Sequence, residues 1–472
     1  MEKKNTWETY SSKQLKELEK INAQYRDFLD NGKTERECID TIVNTIEKSG
    51  YRELESLIKE GTALKTGDKV YSVWMNKSIA MFQIGRKPMT DGMNILGAHI
   101  DSPRLDVKQN PLYEDGGFAY LDTHYYGGVK KYQWVTIPLA IHGVIVKKDG
   151  TCVEINIGEN EDDPVFFVSD LLIHLAQEQL EKKAAKVIEG EALDIIVGNK
   201  PLLIDKKDKK KDEKEAGKEA VKAGVLDILK ETYDIHEEDF VSAELEIVPA
   251  GKAREAGFDR SMTLAYGQDD RVCAYTSMQA MLDSDVTDRT MCCILVDKEE
   301  IGSVGATGMQ SHFFENAVAE VMNLTGEYSE LHVRRCLAHS CMLSSDVSSA
   351  FDPTYASSFD KKNVAYLGGG MVINKFTGAR GKSGSNDANA EYLAHLRHIF
   401  DKAEVNFQTA ELGKVDLGGG GTIAYILALY GMNVIDSGVA VLNMHAPWEA
   451  VSKADVYETK RGYVAFLKGA AI

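Results

Sequence analysis

Apolar residues at Leu15, Leu18, Ile21, Tyr25, Phe28 and Leu29 recur at spacings of three and four, the period of one helical face, and Asn31-Gly32 supplies a stop. A second helix is predicted from Thr34. Glu37 follows three residues on in a capping-box pattern, Ile39, Ile42, Val43 and Ile46 share a face, and Gly50 ends it. The period then changes. Residues 69–85, KVYSVWMNKSIAMFQIG, predict a hairpin turning at Asn76-Lys77, and MNILGAHI predicts a buried strand. VTIPLAIHGVIVKKDGTCVEINIG alternates about Asp149-Gly150, a second hairpin signal, and a helix is predicted around SDLLIHLAQEQL. Beyond residue 244 the apolar runs TMCCILV, CLAHSCML and GVAVLNM predict buried strands. Helical patterns at 388–400 and 421–430 separate them.

Strands alternating with amphipathic helices predict an α/β fold, a mixed sheet covered by helices. The change of pattern divides the chain into a discontinuous domain, 1–103 and 244–472, and a β-rich insertion, 104–243. Within the insertion, residues 205–222 hold eight lysines and six acids with almost nothing apolar. Because the signs interleave, this stretch reads as a solvated loop and not as a basic patch.

The 472 residues include 55 basic and 73 acidic ones, a net charge of −18. An acidic surface argues against a nucleic-acid backbone or an anionic membrane as the main partner. No run approaches the ~18 consecutive apolar residues of a membrane span. The opening MEKKNTWETYSSK has no apolar core, so neither signal peptide nor anchor is expected. Seven scattered cysteines without a CxxC pair predict reduced thiols and a cytoplasmic protein.

The candidate chemistry lies at the ends of the strand-like runs. His99 and Asp101 follow MNILGA, Glu299 and Glu300 follow MCCILV, Asp346 follows CLAHSCMLSS, and His445 follows GVAVLNM. Asp269 and Asp270 stand just before a predicted helix. In open α/β sheets the ligand crevice lies beyond the carboxyl ends of the strands, so these residues can converge. Imidazoles and carboxylates are donors that Zn²⁺ and similar ions accept. Asp101, two residues after His99 on an extended chain, can hold the other ring nitrogen. Taken singly, each feature has a plainer reading: a satisfied histidine, a solvated acidic pair, an N-cap at Asp269-Asp270, a turn at Asp346. Two glycine-bearing motifs carry less. Gly381-Lys382-Ser383 resembles the end of a P-loop, but Phe376 stands where the leading glycine belongs, and Gly418 to Gly421 read as a permissive turn.

In order along the chain, GAHIDSPRLDVK, QDDRVCAYTSMQAM, VDKEEIGSVGATGMQS, SSDVSSAFDPTY and VLNMHAPWE resemble the motifs of the aspartyl-aminopeptidase-like family of dinuclear zinc aminopeptidases. The resemblance implies two divalent metal ions per subunit, Zn²⁺ the expected metal, held by His99, Asp269, Glu300, Asp346 and His445, with Asp269 bridging. It implies Glu299 as general base and Asp101 as the residue orienting His99. It also implies that the insertion mediates dimerisation, that the homo-oligomer is a tetrahedral dodecamer, and that His174 reaches a neighbouring subunit's active site. Two places depart from the family pattern. Ser348, Ser349 and Asp352 replace a histidine-containing segment, and Asn374 stands where acid-preferring members carry lysine.

The expected activity is therefore a metallo-aminopeptidase removing acidic or neutral N-terminal residues from peptides. A metal-dependent deacylase of N-acyl amino acids would use the same scaffold on blocked amines. A catalytically silent peptide-binding shell would have lost the base or a ligand, and this chain retains both.

Overall fold

The computed structural model describes residues 5–202, 219–378 and 380–470. The lysine-rich stretch predicted as a loop lies for the most part outside them. The chain divides into two compact units, the first comprising Met1–Ser102, Ala253–Met444 and Trp448–Ile472, the second Pro103–Lys252 with His445–Pro447.

The first unit is built on a nine-stranded mixed sheet. Its centre is four parallel strands in the order Met291–Val296, Asn94–His99, Cys341–Ser345, Asn433–Gly438. The first three are buried along their whole length, as expected of strands covered on both faces. Side-chain alternation sends Met291, Cys293 and Leu295 to one face and Cys292, Ile294 and Val296 to the other. The first face packs against helices Ser12–Asp30, Glu35–Glu47, Gln268–Leu282, Ala390–Lys402 and Lys453–Gly469. Shorter helices cover the second, among them Leu54–Glu60, Phe313–Leu324 and Glu330–His339. A five-stranded sheet, running from Arg254–Ala256 to Ser348–Ser349, completes the unit.

Local chemistry sets the element ends. The Thr34 hydroxyl accepts from the Glu37 N–H at 3.2 Å, and the Glu37 carboxylate accepts from the Thr34 N–H at 3.1 Å, so the predicted capping box forms. Such caps contribute about 0.5–2 kcal/mol. CLAHSCML is split: Cys336 to His339 close the helix Glu330–His339, and the strand starts at Cys341. Val333, Cys336 and Leu337 are buried at helical spacing, so the period-3.6 pattern wins over the apolar run.

The second unit holds a six-stranded antiparallel sheet in the order Cys152–Ile157, Leu139–Val146, Ala243–Pro249, Arg104–Asp115, Phe118–Tyr126, Ile195–Gly198. Strand Ala243–Pro249 pairs with Leu139–Val146 and Arg104–Asp115, so the sheet keeps residues beyond the expected boundary at 243. The hairpin predicted about Asp149-Gly150 is present, with Gly150 at φ +88° and the Asp149 carboxylate accepting the Thr151 N–H at 2.9 Å. The helix expected around SDLLIHLAQEQL is reduced to turns Ile173–Leu175 and Gln177–Leu180. Leu171, Leu172, Ile173, Leu175 and Leu180 are all exposed, so among the described residues no packed face supports a longer helix. Among the described residues no helix is long and apolar enough to cross a membrane.

Candidate metal centre

Parallel register brings the strand ends together. Val296 lies opposite His99, so the chain leaving one strand toward Glu299 and Glu300 starts beside the imidazole. The next strand over, Cys341–Ser345, runs directly into Asp346, whose N–H donates to the Ser437 carbonyl at 3.1 Å.

His99 is the hub. Its Nδ1 lies 3.0 Å from the Asp101 carbonyl oxygen and 3.3 Å from the Asp101 carboxylate. Its Nε2 lies 3.3 Å from an Asp269 carboxylate oxygen and 3.9 Å from one of Glu299. Burial works most strongly against a charged ring here. The Asp101 and Asp269 carboxylates outweigh it and raise the His99 pKa well above its ordinary value. Asp101 also accepts the backbone N–H groups of Glu299 at 3.2 Å and Glu300 at 3.1 Å, tying the strand end to the glutamate turn. That second contact was not legible as a motif.

Two overlapping sets of donor atoms are close enough to share a cation: His99, Asp269 and Glu300, and His99, Asp270 and Asp346. Asp270 is absent from the ligands the resemblance implied. Asp269 and Asp270 have non-helical φ/ψ and form a kink within Gln268–Leu282, so the regular helix starts after them. Asp270 is fully buried, and among the described residues neither carboxylate oxygen has a hydrogen-bond partner of good geometry. The signal in the sequence was the helix that follows, apolar around most of its girth, because acids opening a fully buried helix must be paired or bound. Asp269 is held from both sides: its N–H donates to Glu449 at 3.0 Å and its carbonyl accepts from the Ser102 hydroxyl at 2.6 Å.

The electrostatics test whether a cation fits. Burial, then neighbouring negative charge, pushes the Asp270 and Asp346 carboxyls well above the usual carboxylate range. Burial and the nearby Glu35 and Asp101 push Asp297 up to about 6. So dense a set of buried acids cannot all be ionised without a compensating cation, and oxygen and imidazole donors are the set a divalent zinc ion takes. The residues fit the metal.

His445 groups with the second unit, its Nδ1 2.9 Å from the Gly128 carbonyl oxygen, and it belongs to neither donor set. His174 is exposed on the turn Ile173–Leu175 of the second unit. Asn374 is buried, and its amide donates to the Ala410 carbonyl at 2.9 Å and the Ser348 hydroxyl at 3.4 Å.

Buried acids and an imidazole at the carboxyl edge of the sheet's parallel centre make the site of a metal-binding protein. Residues 28–467 match the model of the aminopeptidase I zinc metalloprotease (M18) family, and the chain belongs to that family. It is a metallo-aminopeptidase; the deacylase and silent-shell alternatives are not favoured. A Clostridium acetobutylicum protein named "Probable M18 family aminopeptidase 1" is 64% identical over 466 residues, 99% of this chain and 98% of its own length. The crystal structure of a Thermotoga maritima M18 aminopeptidase superposes with a TM-score of 0.92 at 43% identity, covering 99% of this chain and 100% of that one. The crystal structure of aminopeptidase I from Clostridium acetobutylicum gives 0.90 at 60% identity, with 99% of each chain covered.

Proposed function

We propose that the centre takes two zinc ions per subunit, which His99, Asp269, Glu300 and Asp346 would hold. The convergence of the donors on His99 carries this reading. An imidazole and four carboxylates exceed what one tetrahedral zinc ion takes, which favours two. Asp270, packed among the same donors, either binds or balances charge directly behind them.

When bound, zinc supplies an acidified water and a positive field for the developing oxyanion. The chain's own part is proton management. Glu299 takes the proton from the attacking water and returns it to the leaving amine. Asp101 fixes the His99 ring through Nδ1 and holds the Glu299–Glu300 backbone through the two N–H groups.

His174 is proposed to act in a neighbouring subunit of a dodecamer that the insertion assembles. The exposed leucines and isoleucine around it support this, and a structure of the same fold at 20% identity is of an S. cerevesiae mApe1 dodecamer. Seven free cysteines, six of them buried, agree with a cytoplasmic enzyme.

The two glutamates separate the roles. Glu300→Gln is expected to lower metal content and activity together. Glu299→Gln should keep its metal and lose about 10²–10⁴ in turnover, or ~3–5 kcal/mol at 1.36 kcal/mol per tenfold. Metal analysis and turnover on both variants decide it. Loss of metal in Glu299→Gln, or near-normal turnover, overturns Glu299 as base.

A further inference from the structure

We propose that Arg271 is a positioning residue for the metal centre, setting the spacing between the His99 strand and the Asp269-Asp270 segment. Arg271 is 1% exposed. Nε donates to the carbonyl of Ile100, the residue between His99 and Asp101, at 3.2 Å. One Nη donates to the Lys33 carbonyl at 2.9 Å, in the connection between the first two helices. The guanidinium carbon lies 5.3 Å from the centre of the Tyr266 ring. One rigid group, rooted just after the two aspartates, therefore grips the backbone between the metal-facing histidine and its orienting aspartate.

Space is reserved for it. Gly267 has φ +70°, and a Cβ there would stand 1.9 Å from a guanidinium nitrogen, so any side chain would dislodge the clamp. A buried cation is costly to take out of water. What arginine adds is direction: a planar fork that holds two carbonyls at fixed angles. A metal site is sensitive to that, because ligand atoms misplaced by more than about 0.5 Å weaken binding.

The inference rests on the reading that His99 and the two aspartates hold zinc, so His99→Ala is the control. If His99→Ala binds zinc as the parent does, that reading fails. If it loses zinc, the Arg271 variants test the clamp alone. Zinc Kd is measured on the full chain by competition with a chromophoric chelator, beside the unfolding midpoint of the zinc-stripped protein and kcat and KM at saturating zinc. Arg271→Met is expected to raise Kd about 10–100-fold, and to lower kcat with KM unchanged. Arg271→Lys, which keeps the charge and a single donor, should recover part of the affinity. A Kd within twofold of the parent in Arg271→Met overturns the proposal, as does a lowered midpoint of the stripped protein with Kd unmoved. If Arg271→Met does not fold, Arg271→Lys decides: a several-fold weaker Kd with a parent-like midpoint supports the clamp, and an unchanged Kd overturns it.

Discussion

The Asn374 side chain, at the position where the resemblance implies lysine in acid-preferring members, is engaged by Ala410 and Ser348 and carries no charge. With asparagine in place of the lysine of acid-preferring members, neutral N-terminal residues should be hydrolysed at rates comparable to or above Asp and Glu. A panel of aminoacyl substrates checks this, and cleavage of acidic ones alone would contradict it. Asn374→Lys should move the preference toward acids. The residue scale is also where the sequence was most and least informative. His99, Asp101 and the Glu299-Glu300 pair stand at strand ends, where topology alone brings them together, so they could be found by reading the pattern. Asp270 could not be separated from its neighbour, because a doublet before a helix has a plain capping reading. Its significance lies in burial, which depends on how the helix packs in three dimensions.

The helix Lys453–Gly469 carries a test of a different kind. Lys453 is 1% exposed, and its ammonium bonds to Glu19 at 2.7 Å and to Glu255, joining the last helix to the first and to the strand Arg254–Ala256. The hydrogen bond from Lys453 holds the Glu255 carboxyl below its ordinary value. A lowered carboxyl pKa stabilises the fold above the unfolded value of about 4.3, and that stability is lost as pH falls through the lower, folded value. Glu255→Gln should therefore cost about 1–3 kcal/mol at pH 7, and the gap to the parent should close as the pH drops below about 4. Unfolding midpoints of both proteins across that range measure it. Elements with one strong period were legible: the helix from Thr34 and the hairpin about Gly150 follow from a capping box and a positive-φ turn. Short apolar runs were not. CLAHSCML reads as a strand locally and is half helix, since only tertiary burial tells the two periods apart.

For the molecule as a whole, the exposed apolar residues from Leu171 to Leu180 need a covering surface, and the proposed subunit assembly supplies one. Light scattering should find a large particle, and a stable, active monomer would exclude a role for His174 between subunits. Where assembly holds, His174→Ala should lower the peptidase rate and leave bound metal unchanged. The parallel centre of the sheet has a further consequence, for kinetics. Its donors come from positions scattered between residues 99 and 346, and His99, the glutamate turn and Asp346 come together only once three strands distant in sequence have paired. Such non-local pairing is slow and is completed late. The ions can be captured only by a chain that has already crossed its folding barrier. Zinc should then leave the refolding rate nearly untouched and act as a brake on unfolding, slowing it in proportion to the stability it adds. Stopped-flow refolding and unfolding with and without chelator would separate the two arms, and faster refolding in zinc would place the site in the transition state instead.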